Sequence, residues 1–126
     1  MTTKKQLGEL GARGEEAVAQ LLQQKGFKII ARNVHSRWGE LDIIAFKGGV
    51  THIIEVKTRK STAFGGVEAA LSRKKLRKMR KTAFEIKEKR LVRLSGSVQF
   101  DFAAVQQEEN RFFVQFFWNI GLDDLP

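Results

Sequence analysis

The sequence has no cysteine, and its single proline is Pro126, the last residue. Without cysteine there is neither a disulfide framework nor a thiolate metal site, a composition that suits a reducing compartment. Without an internal proline, nothing along the chain forces an element to break. Long hydrophobic runs are also missing. Residues 1–10, MTTKKQLGEL, lack the apolar run of a signal peptide, and no stretch approaches the length needed to cross a bilayer. There is no internal repeat, low-complexity tract or linker, and 126 residues leave no room for a second domain of ordinary size. The expectation is one soluble, cytoplasmic domain spanning residues 1–126.

Acidic residues are scarce. Fourteen Asp and Glu stand against twenty-three Lys and Arg, a net charge of +9. Eleven of the basic residues fall between Arg73 and Arg93, a patch and not a scatter. A polyanionic partner follows, nucleic acid being the commonest. An anionic membrane surface, or simple solubility, would also account for the charge. What is present in quantity is hydrophobic residue, 42%, enough to form a core and to argue against disorder.

Along the chain, Leu10, Val18, Leu21 and Leu22 recur at helical spacing and predict a helix over about Lys4–Lys25, closed by Gly26. Gly8, Gly11 and Gly14 weaken its first half or allow it a close approach. FKIIARN, Phe27 to Asn33, is a short strand. ELDIIAFK (Glu40–Lys47) and VTHIIEVKT (Val50–Thr58) are two further strands, apolar on both faces as in a sheet covered by helices. A polar loop, KSTAFGG, then leads into a long helix expected over Val67–Arg90. Its inward stripe is Val67, Leu71, Met79, Ala83 and Ile86. Ser95-Gly96-Ser97 marks a turn before a strand through Val98, Phe100, Phe102 and Ala104. Gln106–Asn110 reads as a turn and Arg111–Trp118 as an aromatic strand. Seven of the twelve aromatic residues lie between Phe100 and Trp118, and a core or a homodimer interface explains them better than base stacking. The order predicts an α/β layer fold with a mixed sheet.

Gly48-Gly49 between two β-branched runs is a strong hairpin signal. If these two residues form the whole loop, Lys47 faces Val50 and paired numbers sum to 97. Asp42 then falls opposite Glu55, and Glu40 opposite Lys57, all four on one face. Facing carboxylates repel unless a cation lies between them, and a divalent metal would satisfy both. A wet face carrying an ordinary Glu40–Lys57 ion pair would explain the outer pair but not the inner one. Alternation puts His52 on the opposite face. His35, expected in a loop near Trp38, receives no role.

Asp42, followed after twelve residues by Glu55-Val56-Lys57, matches the PD-(D/E)XK nuclease signature. Around it stand Gly14-Glu15, Lys25-Gly26-Phe27, Gly39-Glu40-Leu41-Asp42-Ile43-Ile44-Ala45, Thr58-Arg59 and Ala63-Phe64-Gly65. In this context the chain, from about Gly8 to Asp101, resembles the YraN-like family of small bacterial proteins. The resemblance implies a restriction-endonuclease-like α-β-β-β-α-β core, its mixed central sheet flanked by helices, similar in layout to archaeal Holliday-junction resolvases. It also implies that Glu15, Asp42, Glu55 and Lys57 occupy a nuclease site. Leu41 stands where many such enzymes have a proline, a position that ligates nothing.

Oxygen ligands from Asp42 and Glu55 suit Mg²⁺ or Mn²⁺ better than zinc. Lys57 would orient the attacking water or meet the charge of the transition state. On helical spacing Glu15 shares a face with the apolar residues Val18, Ala19 and Leu22, so it is expected to complete the acidic, metal-binding cluster directly or through a metal-bound water; the alternative is that it only helps solubilise the start of the helix. Glu16 is expected to face solvent. Arg73, Lys74, Arg77, Lys78 and Lys81 would grip backbone phosphates without reading sequence. The reading is a Mg-dependent endonuclease hydrolysing phosphodiester bonds, with DNA favoured over RNA. Its rivals are a nucleic-acid-binding module of the same fold without useful cleavage and a basic adaptor for an acidic protein.

Overall fold

Gly48 and Gly49 both adopt positive φ, 60° and 79°, the conformation a two-residue hairpin turn requires. Around them the computed structural model, which describes residues 4–60 and 71–126, forms β2 (Gly39–Lys47) and β3 (Val50–Arg59). Before these come helix α1 (Lys4–Gln24) and strand β1 (Lys28–Ser36). After them come α2 (Arg73–Glu88), β4 (Ser97–Glu108), β5 (Arg111–Phe117) and a short 3₁₀ turn, Leu122–Asp124. The five strands form one sheet in the order β1-β2-β3-β4-β5. All neighbours are antiparallel except β3 and β4, which run parallel. This is the expected mixed α/β sheet flanked by helices. No helix among the described residues is long and apolar enough to cross a membrane.

Each helix covers a different part of the sheet. α1 buries Val18, Ala19 and Leu22 against Ile43, Ala45, Ile54, Ala103 and Val105. α2 buries Leu76, Met79, Ala83 and Ile86 against Ile44, Ile53 and Phe102, and Ile120 and Leu125 of the C-terminal segment close that core. Fully burying an aliphatic side chain of this size contributes about 1.5–3 kcal/mol, so these two layers hold the helices in place. Gly14 fixes how closely α1 can approach, because a Cβ there would collide with the Thr58 side chain on β3. Gly8 and Gly11 meet nothing.

Several boundaries differ from the sequence reading. β1 runs on to Ser36, so His35 belongs to a strand, where it pairs with Glu40. α2 begins at Arg73, not as a continuation through Leu71, because the Ser72 side chain caps it by accepting from the Lys75 backbone N–H at 3.0 Å. Val67, the preceding loop and the Ala63-Phe64-Gly65 motif lie outside the described residues. Gln106–Glu108, expected in a turn, extend β4 and pair with β5, leaving Glu109-Asn110 as the turn.

Candidate active site

The β2–β3 ladder begins at Lys47–Val50 and keeps the predicted register through Phe46–Thr51, Ala45–His52, Ile44–Ile53 and Ile43–Ile54. There it ends. Asp42 and Glu55 do not form the next backbone pair. The Asp42 carboxylate instead accepts a hydrogen bond from the Val56 N–H at 2.9 Å, so a side chain takes the place of a backbone acceptor. The expected Glu40–Lys57 pair lies beyond this end of the ladder and does not form; on its other side Glu40 pairs with His35 of β1, its Oε1 3.8 Å from His35 Nε2. The strands part where the carboxylates stand.

Asp42 and Glu55 still meet. Both line a cleft of about 340 Å³ with Glu40 from β2 and Lys75, Lys78, Met79 and Thr82 from α2. Burial first, then the neighbouring Asp42 charge, pushes the Glu55 carboxyl up to about 8, against the downward pull of Lys75. Lys75 Nζ stands 3.6 Å from Glu55 Oε2. Lys75 is not among the candidate residues of the sequence. Yet it lies four positions from both Leu71 and Met79, on the inward stripe, and that spacing was the available signal.

Glu15 turns inward and Glu16 outward, the rotation that helical spacing predicts. The Glu15 side chain is 13% exposed and its Oε1 lies 3.5 Å from Arg32 Nε, whereas Glu16, 51% exposed, binds Arg32 Nη1 at 2.6 Å. Burial, and then the charge of Asp42, raises Glu15 above the usual carboxylate range, while Arg32 lowers it. Glu15 Oε1 is buried, and Arg32 is its ion-pair partner. The three carboxylates expected as a metal set nevertheless do not converge into one cage. Among the described residues no group of three or more His, Cys, Asp or Glu side chains could hold a metal ion. Lys57 is exposed on β3, on the same strand face as Glu55 but outside the residues that line the cleft.

The donor set fits a hard dication on two carboxylates. Mg²⁺ is commonly held by one or two carboxylates, completing its shell with water and substrate phosphate. Asp42 and Glu55 supply two such groups in mutual repulsion, and Glu15 adds negative charge beside Asp42.

Residues 14–105 match the family model described as "Uncharacterised protein family UPF0102". A UPF0102 protein of Syntrophomonas wolfei is 40% identical over 103 residues, covering 82% of this chain and 89% of its own. One from Carboxydothermus hydrogenoformans is 38% identical over 113 residues, 89% of this chain and 94% of its own. The chain belongs to the UPF0102 (YraN-like) family. The UPF0102 match opens at Gly14, beside Glu15, and takes in Asp42, Glu55, Lys57 and the whole of α2. It stops short of β5 and the C-terminal segment.

The basic residues of α2 divide into two groups. Arg73 is half-buried and donates to the Leu122 carbonyl at 3.1 Å, so one of its donors ties the helix to the C-terminal segment. Lys74, Arg77, Lys78 and Lys81 are exposed and, with Trp38, Arg80 and Phe84, line a second cleft of about 720 Å³. Lys78 belongs to both clefts.

Proposed function

We propose that this protein is a metal-dependent endonuclease that hydrolyses phosphodiester bonds in DNA. The observation that carries the reading is the Asp42–Glu55 pair, two carboxyls held together in a buried cleft whose other wall carries Lys75 and Lys78. Forcing like charges together in a fold costs stability, and that cost is accounted for if the pair binds a cation.

Mg²⁺ or Mn²⁺ bound by Asp42 and Glu55 would supply Lewis-acid activation of water and of the phosphate. The chain's own residues do the rest. Glu55 gives up its proton as the site takes up the cation. Lys75 and Lys78 draw the phosphate oxygens into the cleft. Lys57, two residues beyond Glu55, orients the water or meets the negative charge that grows in the transition state. Glu15, paired with Arg32, adds negative charge beside Asp42. Lys74, Arg77 and Lys81 retain the flanking backbone.

A second reading has an observation in its favour. The Val56 N–H and Lys75 already give the carboxylates partners, so the site could be closed internally and the protein a nucleic-acid-binding module. Incubating the chain with duplex, single-stranded, flapped and branched DNA in Mg²⁺, Mn²⁺ or EDTA separates the two. Metal-dependent cleavage that is lost with Asp42→Asn or Lys57→Ala supports the nuclease. DNA binding without cleavage by any substrate–metal pair leaves the binding module.

A further inference from the structure

The surface next to the carboxylate cleft combines exposed aromatic rings with unpaired cations. Trp38, between β1 and β2, is 40% exposed, and Phe84, on α2, is 67% exposed. Between them run Lys74, Arg77, Lys78 and Lys81, spaced with Phe84 at i, i+3, i+4, i+7 and i+10. That spacing keeps all five on one helix face and extends about 15 Å at the rise of an α-helix. Among the described residues none of the four cations is engaged in an ion pair.

The two cations over the Trp38 ring differ in how they are held. The Arg37 guanidinium lies 5.0 Å from the ring centroid and is anchored by Glu85, with Nε 2.8 Å from its carboxylate. Glu85 is buried, so Arg37 is anchored beside the indole. Lys81 Nζ lies 4.3 Å from the same centroid, and among the described residues no carboxylate pairs with it. A lysine of that kind can swing from the ring to a phosphate and uncover the indole for another planar group.

We propose that the Trp38–Phe84 surface binds unstacked bases of single-stranded DNA, while Lys74, Arg77, Lys78 and Lys81 follow its phosphates toward the carboxylate cleft. The substrate class this assigns rests on the nuclease reading; the binding site itself does not. In duplex DNA the base faces are hidden in the stack, so a duplex can use only the cations. A single strand can use both, because every base offers a face to an aromatic ring, worth about 1–3 kcal/mol per stacked base. Lys78, shared by both clefts, makes the two surfaces continuous.

The test measures binding in EDTA, where no cleavage occurs, with the full chain and three polyanions: a short oligo(dT), an abasic strand of equal length and charge, and polyglutamate. Oligo(dT) is expected to bind at least about tenfold more tightly than the abasic strand. Trp38→Ala and Phe84→Ala are each expected to remove most of that advantage without changing the salt dependence, and Trp38→Phe to keep it. Both side chains are exposed, and circular dichroism melts verify that each variant folds. If either variant melts early, the other decides. Equal binding of the abasic strand by the wild-type protein overturns the proposal. So does an equal loss for both strands, and so does polyglutamate binding that is as tight and as sensitive to Trp38→Ala. An oligo(dT) preference without cleavage in Mg²⁺ or Mn²⁺ sinks only the nuclease reading. Asp42-dependent cleavage without that preference sinks only this one.

Discussion

Two acid-containing clusters sit on this sheet, and their difference separates what a fold needs from what a ligand needs. Asp101, on β4, is almost completely buried, yet each of its oxygens is used. It accepts from the Asn119 N–H and the Gln99 side-chain amide, both at 2.8 Å, and lies 2.7 Å from His52 Nδ1. Phe27 and Trp118 pack edge-on against the His52 ring. Asp42 and Glu55 are treated differently. Asp42 accepts one backbone N–H, Glu55 stands 3.6 Å from Lys75 Nζ, and the two carboxyls meet each other, with the buried Glu15 carboxylate paired to Arg32 nearby. A buried acid whose oxygens all accept hydrogen bonds stabilises its surroundings; two carboxyls held against each other are costly unless a proton or a cation lies between them. The first cluster serves the scaffold, and the second is the one to which the proposed function assigns chemistry.

The sharpest way to break this contrast is to neutralise one acid in each cluster. Asp42→Asn is expected to lower metal-dependent cleavage by ~10²-fold or more, the scale seen when one group acting in the transition state is lost. It should leave the fold intact. Asp101→Ala strands the donors of His52, Gln99 and Asn119, and is expected to cost about 3–5 kcal/mol of stability. Cleavage per folded molecule should be little affected. Thermal melts and cleavage rates measured on both variants check the pair. A stable Asp101→Ala that no longer cuts, or an Asp42→Asn that unfolds, would reverse the roles assigned here.

The pH dependence of stability gives a second, smaller contrast. Glu55 ionises near 4.5 in an unfolded chain and only around 8 in the fold. Its folded-state pKa is raised, so the stability linked to its proton is complete below about 4.5 and is lost as pH rises through about 8. Each unit of displacement corresponds to about 1.4 kcal/mol, which sets a ceiling of about 5 kcal/mol. In metal-free buffer Glu55→Gln is therefore expected to be more stable than wild type at pH 8–9, with the gain shrinking toward pH 5. Lys75→Ala, by removing the cation that pulls Glu55 down, is expected to move the wild-type transition upward. Denaturation midpoints across this range are the measurement, and a gain at pH 9 no larger than at pH 5 would contradict the strained carboxylate pair.

Much of the carboxylate cluster was legible because a hairpin converts sequence position into geometry. Two glycines set the turn, the turn sets the register, and alternation then puts Asp42 and Glu55 on one face and His52 on the other. The end of the ladder was not legible. Where Asp42 replaces a backbone acceptor, the β2–β3 pairing rule stops applying, and Glu40 keeps His35 of β1 without pairing with Lys57. Lys75 was hidden by composition, one cation among eleven, although its helical position faces inward. The Asp101 cluster depends on His52, brought beside β4 by a parallel β3–β4 pairing that no local signal announces, and on Asn119, which lies beyond the end of β5. Trp38 and Phe84 come together for the same reason: tertiary packing brings the end of a β-hairpin alongside the face of a distant helix.

The smallest expected effect concerns Glu15 and Glu16, neighbours in sequence with different surroundings. Both touch Arg32. For Glu16 the Arg32 hydrogen bond, then that of Gln20, holds the carboxyl below its usual range, as expected of an exposed acid beside a cation. For Glu15 burial and Asp42 outweigh Arg32, and the carboxyl is raised. Glu15 therefore contributes to the field around Asp42, and Glu16 does not. Glu15→Gln keeps the shape and removes the charge. It is expected to lower cleavage about tenfold, within the ~10–100-fold range for a residue that acts on a metal site through its ligands, and to raise the metal concentration needed for half-maximal rate. Glu16→Gln frees Arg32 to close fully on Glu15 and is expected to change the rate by less than about twofold, a surface substitution within ±0.5 kcal/mol. Metal titrations of cleavage for both variants read the difference directly. A larger loss for Glu16→Gln would mean that Arg32, positioned by Glu16, matters more to Asp42 than Glu15 does. Equal and small losses would leave Glu15 as a buried acid tied to Arg32, with no part in the chemistry.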